Sequence, residues 1–160
     1  MTAQTKINQK GFTLIELLVV IGILAVLLAI TLIAINPARQ FGNANNTARR
    51  SHVTQILNAI GQYVAENKGQ LPSEVSALAV DTPTALSSTT SLSTLCAKIV
   101  PTFIPALPTN PTVNAADVSD CAVVGGWSTG YTISRDANNR VTVSTVAGMT
   151  DNGAVITVTR

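Results

Sequence analysis

Chemistry in this chain has to come from very few side chains. Between Phe12 and Ile35 the sequence reads "FTLIELLVVIGILAVLLAITLIAI", and its one charged residue is Glu16. A carboxylate in hydrocarbon costs at least a few kcal/mol, so an intramembrane acid is a functional hypothesis by default. The plainer reading puts Glu16 near the interface, at a helix N-terminus that favours negative charge. Two cysteines, Cys96 and Cys121, and one histidine, His52, complete the reactive inventory. A structural zinc site takes four ligands, and a nucleophile needs a base within reach. His52 stands beside Arg50 on a polar helix face and is expected in solvent, so it serves neither purpose. No nucleotide loop, HExxH, GxSxG or zinc spacing occurs. "GGWSTGY" has glycines without the strand-to-helix context of a phosphate loop, and its Trp127 is expected to pack or to meet another subunit. These residues predict no enzymatic activity, no cofactor and no metal.

The bulk composition points to a membrane phase. The chain has 160 residues, of which 11% are charged, against about 25% in most soluble domains. Its mean hydropathy is positive, +0.36. A formal net charge of +2 is far below the electrostatic footprint of a dedicated nucleic-acid binder. Arg39, Arg49 and Arg50 are the one clustered basic feature, and a solvated helix face accounts for them.

Residues 12–35 form a helix about 36 Å long at 1.5 Å per residue, enough for a hydrocarbon core of about 30 Å. Apolar side chains surround it, which excludes a helix lying on a membrane surface. The run exceeds the 7–15 apolar residues of an ordinary secretory signal, and no Ala-x-Ala site follows. A transmembrane helix is expected. Lys6 and Lys10 favour a cytoplasmic N-terminus, Arg39, Arg49 and Arg50 count against it, and a long following domain translocates largely regardless of charge. N-in, C-out is the orientation expected.

Pro37 removes a helix donor and disfavours helix at Asn36. With Gly42 and "NANN" it predicts a stretch, residues 36–46, that bends or melts easily. Val53, Ile56, Leu57, Ile60 and Val64 then recur at helical spacing, and Gly69 with Pro72 signals a stop. The reading is a weak or interrupted continuous helix, with two helices and a loop as the alternative. Residues 73–94 read as a Ser/Thr-rich surface loop with a short turn. "SLSTLCAKIV" suggests a short helix ending before Pro101. Thr129–Ser134, Arg140–Val146 and Ala154–Thr159 alternate as strands, predicting about three antiparallel strands with one face on the Val53–Val64 stripe. Cys96 and Cys121 have 24 residues between them; a disulfide there is worth roughly 3–4 kcal/mol in the chain-entropy picture and fits an oxidising compartment. The alternative is two separate buried thiols.

"KGFTLIEL", residues 10–17, continued by "LVVIGILAVLLAI", resembles the processing site of type IV pilins and type II secretion pseudopilins. The resemblance implies a leader, 1–11, removed by a prepilin peptidase between Gly11 and Phe12, with Phe12 then N-methylated. It implies an apolar anchor, 12–35, a bend and amphipathic half, 36–69, and a head, 70–160. The fold implied is α+β, a long N-terminal helix packed on a small antiparallel sheet. Its function would be a structural subunit, homo-oligomeric in a helical filament, held in the inner membrane before assembly by the pilus machinery. Cutting creates an amine on Phe12, which Glu16 of a neighbouring copy would neutralise in a low-dielectric interior, fixing the axial register. A pseudopilin of type II secretion, or a minor pilin in DNA uptake, are the other readings. "VPTFIPALPTNP" is faintly similar to a segment of major pseudopilins, whose acidic calcium-binding end is not evident here.

Overall fold

A computed structural model describes residues 11–113, 115–123, 126–150 and 153–160. The chain divides into two compact units, Met1–Gln40 and Phe41–Arg160. In the first, helix α1 spans Leu14–Ile35 and has no buried residue. Leucine and alanine supply helix propensity, and the absence of a polar face leaves nothing for water to solvate. Among the described residues it is the one helix long and apolar enough to cross a membrane.

Asn36 both closes α1 and opens the next helix. Its φ of 47° places it in the left-handed region, which Asn tolerates better than most residues. Its side-chain Oδ1 accepts from the Arg39 N–H at 3.4 Å, and its carbonyl accepts from Arg39 and Gln40. Pro37, whose missing N–H costs nothing at a first helical position, starts α2, Pro37–Glu66. Gly42 and Asn43–Asn46 lie inside α2, so the irregular backbone between α1 and α2 is confined to Asn36. At the other end Gly69, at φ 85°, donates its N–H to the Val64 carbonyl at 2.8 Å and turns the chain away.

Phe41–Arg160 holds the rest of α2, two short helices and one sheet. α3 is Ser73–Ser76 and α4 is Ser93–Ile99; β1 is Thr84–Ser87, β2 Ser128–Arg135, β3 Val141–Thr145 and β4 Thr157–Thr159. The strands pair antiparallel in the order β1-β2-β3-β4. The register sets Tyr131 opposite Thr145 and Ile133 opposite Val143. Alternation therefore sends Tyr131, Ile133, Val141 and Val143 to the same buried cluster as Val53, Ile56, Leu57 and Ile60 of α2. Each such aliphatic side chain contributes about 1.5–3 kcal/mol on burial. The expected α+β class is the observed one, with Val53–Ile60 of α2 sharing one core with the small antiparallel sheet. The sheet has four strands rather than about three, because β1 arises within the segment read as a Ser/Thr loop, pairing Thr84 with Ile133.

α3 is tied to α4 by an ion pair. Lys98 Nζ lies 2.8 Å from Glu74 Oε2, and Thr94 Oγ1 donates to Glu74 Oε1 at 2.7 Å. Burial works against the Glu74 carboxylate, but the hydrogen bonds from Lys98 and Thr94 outweigh it and hold the group below its ordinary 4.5. A folded-state value below the unfolded one means stability that is present above 4.5 and lost as the pH falls through the depressed value. The pair is partly exposed, so its worth is about 1 kcal/mol or less. Glu74→Gln is expected to melt below the wild type at pH 7, and the two melting curves should converge once the pH is well under 4.5.

Candidate processing and assembly site

Gly11 and Phe12 precede α1 outside regular structure, and Phe12 is 84% exposed. A Cβ on Gly11 would meet nothing within 4 Å. The bond between them is therefore open to an enzyme. Lys6 and Lys10 lie outside the described residues.

Thr13 is the N-cap of α1 and forms a reciprocal capping box with Glu16. The Thr13 N–H donates to Glu16 Oε2 at 2.8 Å, the Thr13 hydroxyl donates to the same oxygen at 2.7 Å, and the Glu16 N–H donates back to Thr13 Oγ1 at 3.3 Å. This satisfies helix donors that would otherwise be orphaned. Both Thr13 donors thus meet Oε2, by which Glu16 caps its own helix. The capping residue Thr13 was legible as part of the motif, but its use of Glu16 was not anticipated. The signal was there: a Thr followed three residues later by a Glu before an apolar run.

Cys96 and Cys121 form a disulfide. It joins the buried face of α4 to the segment before β2, where the Trp127 indole donates to the Cys121 carbonyl at 3.1 Å. Trp127 itself is 9% exposed and packs within the head. Pro37 opens α2 and Gly42 is buried within it.

Two α2 residues read as solvated are not. Arg49 is 0% exposed. Its Nε donates to Asn110 Oδ1 at 3.0 Å, one terminal nitrogen to Asn46 Oδ1 at 2.7 Å and the other to Thr112 Oγ1 at 3.2 Å. His52 is half-buried, its Nδ1 sharing a 2.9 Å hydrogen bond with the Tyr131 hydroxyl. Burial pushes the Tyr131 phenol up to about 12, against the pull of the nearby Arg49 guanidinium and with a further push from Asp117. Arg49 precedes Val53 by four residues, so it sits on the apolar stripe rather than off it. That spacing was readable; a charged residue at a core position was discounted.

The first unit thus presents an exposed Gly11–Phe12 segment, a capped acid and an uncovered apolar helix. Residues 6–32 match the family model for the prokaryotic N-terminal methylation motif, the signature of type IV pilins and pseudopilins. The motif implies processing by prepilin peptidase and pilus assembly, and with α1 it is consistent with membrane anchoring before assembly. No curated protein and no solved structure matches the chain.

Proposed function

We propose that the chain is a prepilin, cut between Gly11 and Phe12, N-methylated on Phe12, and polymerised through α1 into an extracellular type IV pilus. It acts as a structural subunit without catalytic activity. The observation that carries this reading is α1: 22 residues, none of them buried, beginning within the methylation motif. Such a surface is stable only in lipid or against other apolar helices. Before assembly the N-terminus lies in the cytoplasm and the head outside the inner membrane, where a Cys96–Cys121 disulfide persists. Its partners are prepilin peptidase, which also methylates, the assembly machinery, and further copies of the chain.

Electron microscopy of material sheared from cells, combined with mass spectrometry of the assembled chain, tests the reading. Long surface fibres whose subunits begin at N-methylated Phe12 are expected. Fibres confined to the periplasm would transfer the chain to the pseudopilus of type II secretion. Subunits that retain residues 1–11 would overturn both.

A further inference from the structure

The geometry points to Arg49 as the residue that fastens α2 to the head, so that α2 unwinds from its N-terminal end as far as Asn46 and stops there while the head stays folded. Ahead of Arg49 no described side chain of α2 joins the apolar cluster. Phe41 is 71% exposed, Ala44 is exposed, and Gly42 is buried without a side chain to pack. Gly42, Asn43, Asn45, Asn46 and Thr47 are weak helix formers, and the Thr47 hydroxyl bonds back to the Asn43 carbonyl at 2.9 Å, a contact that mildly destabilises helices. The first α2 side chain in the apolar cluster is Val53. Between these stretches, Arg49 is the side chain that engages a remote loop.

That loop is itself fixed. Asn110, 0% exposed, donates its N–H to the Thr129 carbonyl of β2 at 2.9 Å and its Nδ2 to Met149 Sδ at 3.3 Å. Gly130, at φ 75°, lies so close that a Cβ there would meet Asn110 Cβ at 3.0 Å. Arg49 is thus held by a buried acceptor that the sheet holds in turn. Losing residues 41–46 from the helix breaks the bond from Arg49 to Asn46 and leaves its bonds to Asn110 and Thr112 in place. Losing Arg49 strips a buried polar knot, a far larger penalty.

Residue-resolved hydrogen exchange on the full chain in detergent micelles tests this. Amides 41–50 of α2, whose acceptors lie at residues 37–46, should exchange at least about tenfold faster than those of 53–60. In Arg49→Ala the fast region should extend through residue 56, one turn further, by a similar factor. A wild-type boundary at Pro37 or at Val53, or an unmoved boundary in Arg49→Ala, overturns the assignment. If Arg49→Ala does not fold, Arg49→Lys keeps the charge and stem but loses the planar fork. It should raise exchange of amides 51–56 about threefold or more, and no change there overturns the assignment equally.

Discussion

A Glu16→Gln chain is expected to enter the membrane as the wild type does and to yield at least about tenfold less sedimentable filament. Insertion depends on the apolar length of α1, which one polar substitution at its first turn does not alter. Assembly is different, because under the proposed reading each copy brings a free amine on Phe12 into a medium of low dielectric. Glutamine keeps the size and one acceptor oxygen of Glu16 but leaves that amine without a counter-charge. Stranding a buried charge costs about 3–5 kcal/mol, and 3 kcal/mol alone is roughly a hundredfold in an association constant. Glutamine still accepts from Thr13, so the capping geometry of α1 survives. Thr13→Val serves as the converse control. It removes the hydroxyl half of the box, costs about 1 kcal/mol as a lost cap, and leaves the carboxylate. Membrane-fraction blots and pelleted fibre yield read both effects, and wild-type fibre yield from Glu16→Gln would remove the charge pairing from the account.

The second large effect concerns the head. Replacing both Cys96 and Cys121 by serine is expected to cost roughly 3–4 kcal/mol, since the bridge closes a long loop in the unfolded chain. For a unit of this size that is a fall in melting temperature of roughly 10–15 °C. Cys96 is fully buried while Cys121 is half-exposed, so reductant should reach the bond from the Cys121 side. Thermal melts of the full chain in micelles should therefore coincide for the double variant and for the reduced wild type. A shift smaller than about 3 °C would mean that packing around Trp127 and α4 holds this region without the bond.

The anchor was legible because its signal is local. All-round apolarity from Phe12 to Ile35 admits one structure, and α1 runs Leu14–Ile35 with Thr13 as its cap. β2 and β3 were legible for a similar reason, since alternation of Tyr131, Ile133, Val141 and Val143 is written along each strand. β1 was not. "TALS" has no alternation of its own and becomes a strand only by pairing with β2, across a register shift between Ala85 and Ser87. The Asn-rich front of α2 was read by propensity, and the observed helix, opened by the Asn36 cap, runs through those weak formers. Arg49 was hidden for another reason. Its acceptors, Asn110 and Thr112, sit in a proline-punctuated loop about sixty residues away in sequence, and nothing local announces that they will meet.

The uniform exposure of α1 has a consequence for how many neighbours it can have. A helix with a single greasy stripe has one direction of approach and is satisfied by one companion. α1 has no such stripe, for apart from Glu16 and Thr31 its side chains from Leu14 to Ile35 are apolar, and they are uncovered around the whole circumference. Hydrocarbon and sibling helices are nearly equivalent surroundings for it, so leaving one for the other is decided by close packing and polar contacts rather than by escape from water. A rod of that kind can sit at the centre of a crowd, touched on every side at once, as a strand sits inside a rope.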